Sequence, residues 1–486
     1  MHAADELADL AREEVHKPIY ETWTGEIIPL AAALRWHEKN LRRLLRPRRL
    51  RGTPFYLLGS SHRVLRAPLG RVAIIATWNY PIQLLGIQLA QAVAAGNRVI
   101  AKPSEYAPRT QRRLLELAAA DLPHGVLTTA RAEREAGREL LQSEPLDHVL
   151  FTGSTAVGRS IAADLAPSLT ASTLELSGRD SAFVLDDADP DLAARVLAFA
   201  VRLNAGQTCM APRRALVLEP VYDRFVAALE RLACEEAPRT LISPDAARHV
   251  RSLVDGAVAL GARVLASAPT DFEGKSGAES ASTVMTPTFV ADCPADADLV
   301  TGDHFGPALA VVRCRDLDHA LSVHRRCDQH LTAMVFTSSG GRAADLAPRL
   351  GASNVMVNDA VVPFSHPAAT LAGHGASGWG PSQGAAGLLA MTREVHFSRT
   401  PKRPRPPTAP PSERDVTMLK RIARFLYAGK LPTQRRGELH DWPPLASRPS
   451  TTATLVPSSK FSSSTAPASQ HAADSSPNQL TEHAAR

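Results

Sequence analysis

Among the 486 residues no stretch approaches the run of roughly 18 apolar side chains that a membrane-crossing helix needs. An integral membrane segment is therefore not expected. The N-terminus is acidic and polar, without a hydrophobic signal region, so the expected location is cytoplasmic. Five cysteines (209, 234, 293, 314 and 327) occur without a Cys-x-x-Cys spacing. That argues against both a disulfide framework and a zinc site, and no metal is expected. Missing too are an interleaved aromatic and basic stripe and a helix-turn-helix pattern. The net charge of +6 is local, concentrated in Arg42–Arg51 and after Lys402, so no nucleic-acid partner is expected. No internal repeat is present.

What is there is a globular composition, with 44% hydrophobic and 21% charged residues, and a length that suggests about three structural units. Residues 4–45 carry apolar side chains at helical spacing. Residues 54–66 hold β-formers around Gly59-Ser60-Ser61 and predict a hairpin. Gly70–Ala76 is an apolar run of strand length, broken by Thr77-Trp78-Asn79-Tyr80-Pro81 and followed by a helical segment through Ala95. Val99–Ala101 is a second buried strand, ending at Lys102-Pro103-Ser104-Glu105. Asp147–Phe151 is a third, followed by Gly153-Ser154-Thr155-Ala156-Val157-Gly158 and a helix. Strands alternating with helices predict an α/β fold with parallel sheets, and nucleotide cofactors bind at the carboxyl ends of such strands. Further strands are expected within 173–184 and at 215–218, and a second α/β unit runs to about residue 376.

Chemistry is suggested first by Asn204-Ala205-Gly206-Gln207-Thr208-Cys209, where a glycine allows a tight turn that presents the sulfur. An isolated cysteine is more often a buried, inert one. Here, however, Glu175 and Asn79 sit in turns of their own and offer a base and an oxyanion donor. A competing reading comes from Gly153–Ser160, one residue away from a phosphate-binding P-loop, with Asp186-Asp187 as its acidic strand. Arg159 stands where that loop needs a compact lysine charge, which weakens a nucleotide hydrolase. A glycine turn at a helix N-terminus still attracts a pyrophosphate.

The motifs spread along the chain resemble those of the NAD(P)-dependent aldehyde dehydrogenase superfamily, class 3-like branch. They are Trp78-Asn79-Tyr80-Pro81, Lys102-Pro103-Ser104-Glu105, Phe151–Thr155, Leu174-Glu175-Leu176, Asn204–Pro212 and Phe305-Gly306-Pro307. The resemblance covers about residues 5–430. It implies a Rossmann-type cofactor domain, an α/β catalytic domain and a small β oligomerisation element, with a homodimer as the default. It implies Cys209 as the nucleophile towards an aldehyde, Asn79 and the Cys209 N–H as oxyanion donors, and Glu175 as the base that activates water. Cofactor contacts would come from Trp78, Lys102, Ser104, Glu105, Gly153, Ser154, Leu176, Asp303 and Phe305. NAD is the implied cofactor, with NADP possible, because the Glu105 carboxylate would repel a 2′-phosphate.

Several positions depart from the family pattern. Asp303 replaces a glutamate with a shorter reach, and Ser177-Gly178-Arg179 replaces Gly-Gly-Lys. Thr370-Leu371-Ala372-Gly373 stands where Pro-Phe-Gly-Gly is usual. A catalytically silent scaffold of the same fold is the alternative these changes raise. The resemblance divides the chain into a cofactor domain at 1–51 and 67–176, a catalytic domain at 177–376 and an oligomerisation element at 52–66 and 377–400. A C-terminal extension follows at 401–432, whose amphipathic helix is expected to dock on the globule. The Ser-, Thr- and Pro-rich residues 433–486 read as disordered.

Overall fold

The computed structural model describes residues 2–54, 57, 59–265, 282–400, 410 and 412–427. The expected disordered tail and most of the segment preceding the amphipathic helix lie outside them. Helices His2–Val15 and Ile28–Leu45 open the chain and pack beside a six-stranded sheet. Its strands run in the order Leu127–Thr129, Arg98–Lys102, Arg71–Ile75, His148–Gly153, Ala171–Leu176 and Gly378–Trp379. All neighbours are parallel except the last pair, where Gly378 faces Glu175. Arg71–Ile75 is buried on both faces, as an uninterrupted Val-Ala-Ile-Ile run requires when helices cover a sheet from both sides.

The chain leaves this sheet at Leu176 and enters a second one at Asp180. The second sheet orders Arg263–Val264, Thr288–Ala291, Ala308–Cys314, Pro212–Leu218, Asp180–Val184, Thr332–Phe336 and Asn354–Val357, and only the first pair is antiparallel. Two apolar layers sandwich it, one around Phe183 and Val290 and the other around Phe225 and Phe289. The fully buried Asp180 carboxylate locks its amino edge. It accepts hydrogen bonds from Leu331 N (3.1 Å), Thr332 N (3.0 Å) and Thr332 Oγ1 (2.5 Å). The carboxyl edge of the first sheet and the amino edge of the second thus face each other across residues 177–179.

Three expectations are corrected. The hairpin anticipated at 54–66 is not local. Ser61–Pro68 pairs along its whole length with Thr392–Arg399, while Arg48–Arg49 flanks its other side. Eight residues of cross-strand pairing outweigh a short local hairpin, and Pro54 has no N–H to contribute to a ladder. The stretch 377–391 also does not belong wholly with that small sheet, since Gly378–Trp379 completes the six-stranded one. The third correction concerns helix Glu413–Tyr427, which buries none of its residues, Phe425 being 88% exposed. Only Asp415, Ile422 and Leu426 are half-buried. A stripe that narrow, headed by a carboxylate, is not the broad apolar face that seats a helix on a core. Among the described residues no helix is long and apolar enough to cross a membrane.

Candidate active site

Asn204, Ala205 and Gly206 all take left-handed backbone angles, with φ of 51°, 54° and 68°. Two of the three carry a Cβ, so the turn is strained and must be held by its surroundings. Asn204 supplies much of the hold. Its Nδ2 donates to Asn79 O (2.9 Å) and Gln207 O (3.1 Å), and its backbone N–H donates to Glu21 Oε2 (2.7 Å). Gly206 has no substitute, because a Cβ there would lie 2.4 Å from the Gly306 carbonyl. The turn therefore rests directly on Phe305-Gly306-Pro307. Gly178 N–H donates to Cys209 O (3.3 Å), fixing the cysteine from the opposite side.

Cys209 is 9% exposed and forms part of the wall of two cavities. One, of about 200 Å³, is lined by Phe199, Leu203, Met210, Val362, Phe364 and Leu371 among others, with no charged side chain. The other, of about 420 Å³, holds Trp78, Asn79, Gly153, Ser154, Glu175, Leu176, Asp303 and Phe305. Most of the predicted site residues therefore converge on one cleft that ends at the sulfur. Lys102, Ser104 and Glu105 do not line it. They lie at the end of strand Arg98–Lys102, where Lys102 Nζ stands 3.4 Å from Glu105 Oε2. The Ser104 hydroxyl accepts from Tyr106 N–H (3.3 Å).

Glu175, 2% exposed, reaches Cys209 directly: Sγ donates to its Oε1 at 3.6 Å. Burial raises the Glu175 carboxyl to about 7, against smaller opposing contributions from Cys209, Ser382 and Thr152. The Cys209 thiol is also raised, first by burial and then by the neighbouring Glu175 and Asp180 carboxylates, while Arg213 pulls it down. A neutral thiol beside a carboxyl titrating near neutrality is arranged for proton transfer between the two. Asn79 Oδ1 accepts from Thr77 Oγ1 (2.9 Å), which fixes the amide so that Nδ2 faces the loop, donating to Gln207 O (3.0 Å).

The cleft fits a dinucleotide. Ser154 caps helix Thr155–Leu165 by accepting from Val157 N–H (3.4 Å), leaving the helix N-terminus at the cleft where a pyrophosphate is stabilised. Trp78 and Phe305 meet edge to face at 5.8 Å, a ring pair able to pack a flat heterocycle. Asp186 and Asp187 are bound instead to Arg342 and, for Asp187, to Thr337 and Ser338. The acidic strand of the nucleotide-hydrolase reading is thus engaged elsewhere.

Sequence reasoning missed the support beneath Asn79. Lys17, buried, donates from Nζ to Asn79 O (2.6 Å) and pairs with Glu26 Oε1 (2.5 Å). The other Glu26 oxygen accepts from Ile82 N–H (2.7 Å) and Gln83 N–H (3.2 Å). Lys17 also stands 3.8 Å over the Tyr80 ring. Nothing local in sequence marks an ion pair whose purpose lies 62 residues downstream.

The aldehyde dehydrogenase family model matches residues 1–396. The 4,4'-diapolycopene aldehyde oxidase of a Methylomonas species is 30% identical, over 82% of this chain and 76% of its own length. Aldehyde dehydrogenase family 3 member B2 of Mus musculus is 31% identical, over 78% of each. Among solved structures, an NAD-dependent aldehyde dehydrogenase from Sinorhizobium meliloti superimposes with a TM-score of 0.76 at 28% identity, covering 84% of this chain and 80% of that one. The chain belongs to the aldehyde dehydrogenase family. It is an oxidoreductase that converts an aldehyde with NAD or NADP, and neither the nucleotide-hydrolase nor the silent-scaffold alternative draws support.

The buried ion pair generates a prediction. Glu26→Gln leaves the Lys17 charge uncompensated and releases the turn carrying Asn79. Stability should fall by about 3–5 kcal/mol, read from denaturant midpoints. A variant as stable as wild type would show that Lys17 is satisfied without its partner.

Proposed function

We propose that Cys209 is the nucleophile, Glu175 the base and Asn79 the oxyanion donor of this dehydrogenase. The observation that carries the reading is the 3.6 Å contact between Sγ and Glu175 Oε1 at the meeting point of the two cavities. Glu175 takes the thiol proton as sulfur bonds to the aldehyde carbon, giving a thiohemiacetal. The Asn79 amide and the Cys209 N–H hold its oxygen, and losing one such donor typically costs about 100- to 1000-fold in rate. When bound, NAD(P) supplies the hydride acceptor that turns the thiohemiacetal into a thioester. Glu175, having passed its proton to solvent, then deprotonates water. The water oxygen bonds to the thioester carbon, the carbon–sulfur bond breaks, and the acid leaves the regenerated thiolate. Trp78, Gly153, Ser154, Leu176, Asp303 and Phe305 would hold the cofactor along the cleft. Lys102, Ser104 and Glu105 would hold its adenosine end, with Glu105 favouring NAD over NADP, a preference that the ratio of catalytic efficiencies checks.

The substrate end is the uncharged cavity, so the proposed aldehydes are apolar, aliphatic or aromatic. Burying one more methylene contributes about 0.8 kcal/mol, so kcat/KM should rise about fourfold per added carbon until the space is filled. An aldehyde bearing a carboxylate that outperforms its apolar isostere would contradict this.

We further propose a cofactor domain through Leu176, a catalytic domain from Ser177 to about 376, and a cytoplasmic homodimer. Five cysteines without a Cys-x-x-Cys spacing suit a reducing compartment. Strand Thr392–Arg399 supports the dimer, being the open edge of its sheet with Phe397 half exposed. Sedimentation at the monomer mass would remove the dimer.

The mechanism is tested by rapid mixing. Glu175→Gln with NAD and aldehyde should form NADH more slowly than wild type, because the thiol has lost its base, in an amount no larger than the enzyme concentration, and then stall as thioester. Cys209→Ser should give no burst while still binding cofactor. Sustained turnover in Glu175→Gln would reassign the base.

A further inference from the structure

The uncharged cavity at Cys209 is not wholly apolar. Six polar side chains line it, those of Thr24, Tyr80, Gln83, Thr208, Ser365 and Gln383. The four hydroxyls have protein partners. Thr24 Oγ1 donates to Tyr20 O (2.8 Å), Ser365 Oγ donates to Val362 O (2.6 Å), and the Tyr80 and Thr208 hydroxyls bond to each other (2.8 Å). The two carboxamides have no partner among the described residues. Gln83 is half-buried, whereas Gln383 is 7% exposed. A buried amide left unpaired forfeits hydrogen bonds that it would make in water.

The backbone of Gln383 is as unusual as its side chain. With φ 63° and ψ 168° it occupies a region restricted almost entirely to glycine. Both neighbours are anchored. Ser382 pairs with Leu371 and its Oγ donates to Glu175 Oε2 (3.4 Å), while Gly384 O accepts from Gln91 Nε2 (3.1 Å). The chain beside Glu175 is thus fixed from both sides, and it carries a carboxamide where a glycine would be unstrained. A residue that costs strain and pairs its side chain with nothing in the protein is placed for a ligand.

We propose that Gln383 is a specificity-determining residue whose carboxamide hydrogen-bonds a neutral polar substituent of the aldehyde. The substrates are then largely apolar aldehydes that carry a hydroxyl away from the reacting carbonyl. The inference rests on the reading that this cavity receives the aldehyde. A carboxamide donates and accepts, as a hydroxyl does, and neither is charged, which suits a cavity without charged side chains. Phe199, Leu203, Met210 and Leu371 take the apolar body.

The test compares the meta and para isomers of (hydroxymethyl)benzaldehyde with the ethylbenzaldehydes of the same shape, in which a methyl replaces the hydroxyl. The ratio of kcat/KM, hydroxymethyl over ethyl, is taken in wild type and in each variant, so that intrinsic aldehyde reactivity cancels. Gln383→Leu keeps most of the volume and loses the amide, and should lower that ratio by roughly tenfold for at least one isomer. Gln383→Gly relieves the backbone and should show the same loss, and it decides alone if the leucine variant does not fold. Ratios unchanged for both isomers overturn the proposal, as does a fall produced by Gln83→Leu and not by Gln383→Leu. Val362→Trp narrows the cavity and should slow both series together. If it slows neither, the cavity is not the aldehyde end, and the reading beneath fails with the proposal. If it slows both, an unchanged ratio counts against Gln383 alone.

Discussion

The left-handed turn at Asn204–Gly206 is the constraint on which the rest depends. It is unfavourable in isolation and persists because four separate parts of the chain converge on it. Asn79 O and Gln207 O take the Asn204 amide, Glu21 takes its N–H, Arg213 binds two of the loop carbonyls, and Gly306 fills the space beside Gly206. Each hold comes from a different element, so the sulfur position reports on the docking of the first helices, both sheets and the Phe305 turn together. Strain stored at the site is offset by packing spread over the whole molecule.

The same convergence sets the electrostatics. Cys209 and Glu175 are both buried, and burial alone pushes each towards its neutral form. For Glu175 the result is a carboxyl near 7, suited to exchanging a proton at neutral pH. For the thiol, burial and two carboxylates oppose ionisation, and Arg213 favours it. The alignment of an uncharged cavity on one side of the sulfur and a cleft with a helix N-terminus on the other then separates where an apolar substrate and an anionic cofactor would sit.

How much of this was legible in the sequence depends on how local each signal is. Strand–turn–helix units such as Arg71–Ile75 with Asn79, or His148–Gly153 with Ser154, are written in consecutive residues and were readable, as was the α/β class. Cys209, Glu175 and Asn79 were named from separate turns, and the fold brings all three to one cleft. Lys17 and Glu26 were invisible because their purpose is to hold a turn far along the chain. Arg213 was passed over because an arginine pair after a motif looks like surface charge until its burial is known. The hairpin at 54–66 was misplaced because pairing with 392–399 is a long-range choice. The docking of helix Glu413–Tyr427 failed because an apolar stripe does not say whether the chain offers it a groove.

The central claim is that one buried carboxyl, Glu175, handles the proton both of the thiol and of the hydrolytic water. The pH dependence of thioester hydrolysis tests it most directly, measured in single turnover on acylated enzyme so that cofactor binding and thiol ionisation drop out. Below its raised pKa Glu175 is protonated and cannot accept a proton, and above it the carboxylate is available. The account predicts a rate that climbs through a single ionisation at about 7 or above, because acylation removes the Cys209 S–H whose hydrogen bond lowers Glu175, and then levels. A rate that stays flat across that range in the wild-type enzyme would contradict it.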